Sequence, residues 1–287
     1  MLHSRHRLAP APAPAPAPVA PRAGTQRVPC AVVALAALAL SACSSSDSAP
    51  VLGQTQQAIL RGQLDREHPQ VMLLANEAGF LCSGTLIDVL GHSGFLLTAA
   101  HCVTDQDEEA TRLPPEQFVV IAGNDFLNGT SAFAVDAIQV HPGYDGSFAV
   151  DDVAIVRIEL GDVAPPPVIP PLFAEQDTLR VNDRLLLVGY GQTEREQENS
   201  VRRHVARAID SLDGDLVAYS QEDGTGACFG DSGGPALVTL QGQERVAAVI
   251  SGGVDSDDRC SGGLGISMRV SKYTGFIESV LSDGSRD

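Results

Sequence analysis

Gly230-Asp231-Ser232-Gly233-Gly234-Pro235 lies late in the 287-residue chain, and the rest is read outward from it. A serine set among glycines can occupy a tight loop, because residues without a Cβ reach backbone conformations closed to other residues. Its hydroxyl is a poor nucleophile at neutral pH unless a neighbouring imidazole accepts the proton. Leu96-Leu97-Thr98-Ala99-Ala100-His101-Cys102 offers such a base in His101. Between the two runs, Asp151-Asp152-Val153-Ala154-Ile155-Val156 places an acidic pair ahead of an apolar stretch. The chain order is His, Asp, Ser.

Each piece alone is weak: a lone histidine beside cysteine is usually structural, and an Asp-Asp pair is usually a solvated turn. Gly-Asp-Ser-Gly-Gly also fits the serine elbow of the α/β-hydrolases. That fold needs its histidine after the serine, whereas the last histidine here, His204, precedes Ser232. Taken together, the three motifs resemble the signatures of the chymotrypsin/trypsin-like serine proteases. The resemblance implies an all-β fold of two six-stranded antiparallel β-barrels with a short C-terminal helix. It implies that Ser232 attacks a peptide carbonyl, that His101 takes and returns the proton, and that Asp152 orients the imidazole. Asp152 matches the family's acid, with Asp151 in place of its usual Asn. The Gly230 and Ser232 amides would form the oxyanion hole, each donor typically worth about 3–4 kcal/mol in the barrier.

The resemblance also implies two disulfides. Cys82, in Cys82-Ser83-Gly84-Thr85-Leu86-Ile87, pairs with Cys102, and Cys228 pairs with Cys260 across the substrate pocket. Such bonds require an oxidising compartment. The N-terminus supplies the route: Arg22 and Arg27 precede an apolar run over 31–40, too short to span a bilayer but suited to a signal peptide. Leu40-Ser41-Ala42-Cys43 matches the bacterial lipobox, with Cys43 lipidated and Cys30 lost with the signal. Ordinary signal-peptidase cleavage is the competing reading; the Ser-rich stretch behind Cys43 favours the lipid anchor. The expected organisation is a signal with an Ala/Pro-rich extension over 1–42 and a tether over 43–58. A protease domain over 59–282 and a tail over 283–287 complete it. Within that domain the first barrel covers 59–163, a proline-rich crossing 164–171, and the second barrel and helix 172–282.

The formal charge is −17, and loss of residues 1–42, with four arginines and no acid, takes it to −21. Such a surface repels nucleic acid. The expected partners are a polypeptide substrate and an activating protease, with membrane contact only through a lipid at Cys43, and the chain is expected to be a monomer. No cofactor or metal is expected: the sequence has no Walker loop, His-Glu-x-x-His or Cys/His cluster. Apolar or alternating runs predict strands over 71–74, 84–90, 94–98, 118–122, 153–158, 184–188, 245–251 and 265–270. A closing helix is predicted over 273–281.

By resemblance, the floor of the primary pocket is Gly226, with no carboxylate. Its walls include Ser251, Gly252, Gly253 and Gly265, and Ser251 also bonds Asp152. Glycines there leave an open pocket, predicting an uncharged, medium-to-large apolar residue at P1, on the acyl side of the cleaved bond. Gly252 departs from the aromatic residue usual in the family. Asp255, Asp257 and Asp258 crowd a nearby loop and would restore basic specificity if one folded into the pocket. Activation in the family frees an N-terminal amine that pairs with the Asp before the serine, here Asp231. The candidate cut lies before Ile59-Leu60-Arg61-Gly62; alternatively Ile59 simply starts the first strand. No disulfide would join 44–58 to the core, so such a cut would release the enzyme from its lipid. The expected function is a secreted serine endopeptidase; the alternative is a catalytically silent binding or regulatory protein of the same fold.

Overall fold

The runs that read as unbroken apolar stretches are those whose two faces both become buried. Val71-Met72-Leu73-Leu74 is at most 2% exposed along its length, as expected when one face fills a barrel and the other meets a second layer. The computed structural model describes residues 59–105, 110–128, 131–193, 200–257 and 260–284. The expectations for the signal segment, Cys30, Cys43, the tether and Asp258 lie outside the described residues.

Strands β1 (Gln63–Leu64), β2 (Val71–Asn76), β3 (Leu81–Leu90), β4 (Ser93–Thr98), β5 (Phe118–Ala122), β6 (Ser131–Val140) and β7 (Ala154–Glu159) occupy the first half. The second half carries β8 (Arg184–Gly189), β9 (Arg203–Ala208), β10 (Ser211–Asp213), β11 (Leu216–Ser220), β12 (Pro235–Leu240), β13 (Gln243–Val254), β14 (Leu264–Arg269) and the helix α1 (Thr274–Gly284). Strands β2-β3-β4-β7-β6-β5 close into a six-stranded antiparallel barrel. The second half is an eight-stranded sheet in the order β1-β9-β8-β12-β13-β14-β11-β10, so the short β1 and β10 sit at its edges. β1 comes from the N-terminal side of the first barrel and pairs with β9.

One hydrophobic cluster runs through the barrel and on into Val188, Tyr190, Leu237, Val249 and Met268 of the second half, and to Ile277 of α1. The proline-rich crossing threads between the halves: Ile169 N–H donates to Leu86 C=O (3.1 Å), and Val246 N–H to Pro170 C=O (3.0 Å). Proline cannot donate to a ladder, so the crossing is held by isolated bonds of this kind.

A buried polar clasp fastens the N-terminal segment beneath this core. The Asp65 carboxylate is fully buried and takes Arg202 Nε at 3.2 Å, His204 Nδ1 at 3.0 Å and His68 Nδ1 at 2.5 Å. Arg202 is itself 0% exposed and also donates to Val71 C=O (3.0 Å) and Asn124 Oδ1 (2.7 Å). Glu244 of β13 reaches the far side of His68, 3.1 Å from Nε2. Burial alone would raise the Asp65 carboxyl, but hydrogen bonds and charge from His68 and Arg202 hold it well below the usual range. Burial opposes charge on His68 too, and Asp65 and Glu244 outweigh it, raising the imidazole.

Replacing Asp65 with Ala leaves Arg202 buried without a counter-charge and is expected to cost about 3–5 kcal/mol in urea unfolding. The depressed Asp65 stabilises above its unfolded pKa of about 3.9, and the raised His68 below its unfolded value of about 6.5. The clasp is therefore strongest between those limits. His68→Ala should lose most stability near pH 6 and progressively less at alkaline pH.

Candidate active site

His101 lies in the turn Ala100–Cys102 that directly follows β4. The disulfide Cys82–Cys102, with Cα atoms 6.1 Å apart, ties that turn to β3 and closes a 20-residue separation, worth about 3 kcal/mol in the chain-entropy account. Asp152 ends the loop between β6 and β7. His101 Nδ1–H donates to Asp152 Oδ2 (2.7 Å) and the His101 backbone N–H to Oδ1 (2.9 Å). The Ser251 hydroxyl adds a third bond to Oδ2 (2.6 Å). Asp152 is 2% exposed. Burial by itself would raise its carboxyl, but the bonds from His101 and Ser251 outweigh that and hold it low. Its neighbour Asp151 turns away, at φ +47°, towards His141 Nδ1 at 3.7 Å. Of the acidic pair, only Asp152 meets His101.

Ser232 is half-buried. Its loop is stitched to both halves: Ser83 N–H of β3 donates to Ser232 C=O (2.8 Å), and the Ser83 hydroxyl to Gly230 C=O (2.8 Å). On the other side, Gly233 N–H donates to Ile250 C=O of β13 (2.7 Å). Gly233 has φ +78°, and a Cβ there would strike Thr98 Oγ1 and Ser83 C=O. Thr98 is three residues before His101, so this contact sets the serine loop against the strand that carries the histidine. Among the described residues, neither the Gly230 nor the Ser232 N–H is taken up by a protein acceptor.

Asp231 is fully buried. Its Oδ1 accepts Gly191 N–H (2.7 Å) and its Oδ2 accepts Cys228 N–H (2.9 Å). Among the described residues no cation pairs with it, and burial pushes its carboxyl up to about 7 against those two bonds. Ile59 is 0% exposed with φ +45°, and Leu60 forms a bridge with Gly226. The segment at the expected cut therefore runs beside Gly226.

Three of the four glycines expected to line the pocket lie close against side chains. A Cβ on Gly226 would strike the Gln221 carboxamide, one on Gly265 the Tyr219 ring, and one on Gly252 would lie 2.6 Å from the Phe148 ring. Gly253 alone of the four has lighter contacts, 3.3 Å to Leu264 C=O. Gln221 is 2% exposed and bridges two segments, accepting from Ala227 N–H (2.8 Å) and donating to Cys260 C=O (2.9 Å). The same two segments are joined by the disulfide Cys228–Cys260, with Cα atoms 5.3 Å apart. Gly226, Gly252 and Gly265 thus each make room for a side chain from another segment. Gln221, Tyr219 and Phe148 carry no motif in the sequence that would mark them; nor does Ser83, except as a member of its strand.

Cys82, His101 and Cys102 form the one grouping of metal-ligand atoms among the described residues. Both sulfurs are consumed by the disulfide, and a single imidazole is left.

A barrel and a facing sheet, with a buried Asp–His pair and a glycine-flanked serine at their junction, define the class, and the comparisons agree. The family model described as Trypsin matches residues 61–277. The chain belongs to that family. It is 24% identical over 233 residues to CLIP domain-containing serine protease B10 of Anopheles gambiae, covering 70% of this chain and 61% of that protein. It is 27% identical over 243 residues to Serine protease Hayan of Drosophila melanogaster, covering 73% and 36%. It is also 27% identical over 239 residues to Serine protease SP24D of Anopheles gambiae, covering 75% and 84%. The match thus spans under two thirds of the first two relatives.

An acid whose folded pKa is raised stabilises fully only below its unfolded value, and that stability is lost as pH rises through the folded value. Asp231 should therefore cost on the order of 4 kcal/mol between pH 4 and 8. Asp231→Asn should flatten that part of the pH dependence in urea unfolding and be the more stable protein at pH 8.

Proposed function

We propose that the protein is an exported serine endopeptidase in which His101, Asp152 and Ser232 act as a triad. The observation that carries the reading is the buried carboxylate of Asp152, with three donors and its Oδ2 2.7 Å from His101 Nδ1. An acceptor-only carboxylate fixes the proton on Nδ1 and leaves Nε2 as the basic nitrogen of the ring. Ser232 attacks the peptide carbonyl while His101 takes its proton. The oxyanion rests on the Gly230 and Ser232 N–H groups. His101 then protonates the departing amine, and water hydrolyses the acyl-enzyme by the same exchange.

The neutral Gln221 amide beside Gly226 supports an uncharged P1 residue. The side chains that fill the space around Gly226 and Gly265 favour a P1 side chain of moderate rather than large size. The two disulfides support export, since such bonds persist in oxidising compartments. We assign the lipid anchor to Cys43.

Activation is read as a cut before Ile59. Isoleucine at φ +45° is strained because its branched Cβ crowds the preceding carbonyl. Hydrolysis of the 58–59 bond removes that carbonyl and with it the strain. The freed ammonium supplies the cation that buried Asp231 lacks among the described residues, which draws its carboxyl down and sets the adjoining Gly230–Ser232 loop.

A fluorophosphonate probe is expected to label the active protein at Ser232 and not the Ser232→Ala variant; absence of label in active-form protein excludes the triad. Ser232→Ala should lower kcat by about 10⁶-fold. N-terminal sequencing of the active form should begin at Ile59, and full activity with residue 58 still attached excludes the cut.

A further inference from the structure

Asp151 and Asp152 are adjacent acids whose side chains part. Asp152 meets His101 and Ser251, whereas Asp151 lies beside His141, its Oδ1 3.7 Å from Nδ1. No step of the reaction above uses Asp151, yet its carboxylate is held from three directions.

A Cβ on Gly143 would strike the Asp151 carboxylate, so the acid is laid over the bare Cα of a glycine in its own loop. His141 closes one side. Its Nδ1 accepts Gly143 N–H (3.2 Å) and has no proton there to give Asp151. The imidazole is set edge-on to Tyr273 and to Phe276, with ring centroids 5.1 Å from each. The donor is Tyr273, which is 3% exposed and whose hydroxyl donates to Asp215 Oδ2 at 3.0 Å. Asp151 hydrogen-bonds the same hydroxyl; burial and the two carboxylates raise the phenol well above its usual range, so it keeps its proton. Asp215 stands between β10 and β11, and Tyr273 between β14 and α1. One hydroxyl of the second half therefore bridges an acid from each half.

This seat bears on the catalytic acid through the backbone. Asp151 has φ of +47°, where an L-residue's Cβ crowds its own backbone and which persists only where surrounding contacts impose it. Val153 N–H donates to Asp151 C=O (2.8 Å), closing a three-residue turn with Asp152 at its centre. Val153 C=O in turn accepts His141 N–H (2.9 Å). The direction in which the Asp152 side chain leaves the chain is thus set by its two neighbours, and of these Asp151 is the one that reaches the other half.

We propose that Asp151 is a positioning residue: seated on Gly143 and the Tyr273 hydroxyl, its carboxylate holds the turn that aims Asp152 at His101. This rests on the triad reading above. Asp151 touches neither substrate nor reacting atoms. Its effect falls where His101 becomes a cation and needs Asp152 in place, and so belongs to kcat rather than KM.

The test compares wild type and variants on a panel of peptide nitroanilides. Rates are taken per site labelled by a fluorophosphonate, so that unfolded protein does not count. Asp151→Ala should lower kcat about 10-fold or more and leave KM within about 2-fold. Asp151→Asn keeps an acceptor oxygen of the same reach and should recover most of that loss. Tyr273→Phe keeps the ring beside His141, removes only the hydroxyl, and should lower kcat in the same way. Joined with Asp151→Ala it should add little, because the two residues act as one unit. Unchanged kcat in Asp151→Ala, a loss carried by KM, an Asn variant as slow as the Ala, or full additivity overturns the positioning role and leaves the triad standing. Failure of wild type to cleave any of the panel overturns both.

Discussion

The serine loop depends on one residue of the opposite half. Ser83 gives its N–H to Ser232 C=O and its hydroxyl to Gly230 C=O, and accepts Tyr190 N–H at 3.1 Å. A single buried side chain therefore joins β3, the loop of Ser232 and the end of β8. It is 0% exposed, so these bonds form where water does not compete. The adjacent Cys82 anchors the turn that holds His101. Two neighbouring residues of one strand thus register the turn of His101 and the loop of Ser232 to a common frame.

Two buried aspartates near that frame show how environment sets charge. Asp152 has a histidine and a hydroxyl aimed at it and stays ionised. Among the described residues Asp231 has only two backbone amides, and burial drives it towards its neutral form. Both are equally hidden from water; what differs is the number and charge of the donors.

Much of this was legible in the sequence. The eight expected strands coincide with β2, β3, β4, β5, β7, β8, β13 and β14, because their buried faces make them apolar in sequence. The barrel's β6 went unseen because Ser131, Ala132, Ala134 and Asp136 face solvent, leaving only Phe133, Val135 and Ile138 well buried. β9 carries Arg203, His204 and Arg207, and β12 opens on a proline; both read as non-strand and are held by their neighbours. In the site, motif residues could be found because the chemistry requires their types and order. Asp65, His68, Arg202 and His204 could not, since a buried ion cluster has the composition of a solvated surface until the chain is folded. The glycines of the pocket were legible as glycines but not as hosts, because the side chains they admit come from other segments.

Both described disulfides stay within a half, 82–102 in the first and 228–260 in the second. Among the described residues, only the peptide chain through the crossing links the halves covalently. A single nick there would turn an intramolecular pairing into a two-piece complex kept together by the shared core, the clasp at Asp65 and the bonds of Ser83. Such a complex would keep its shape when intact, yet once denatured it would reassemble at a rate set by dilution, because each half must find the other by diffusion.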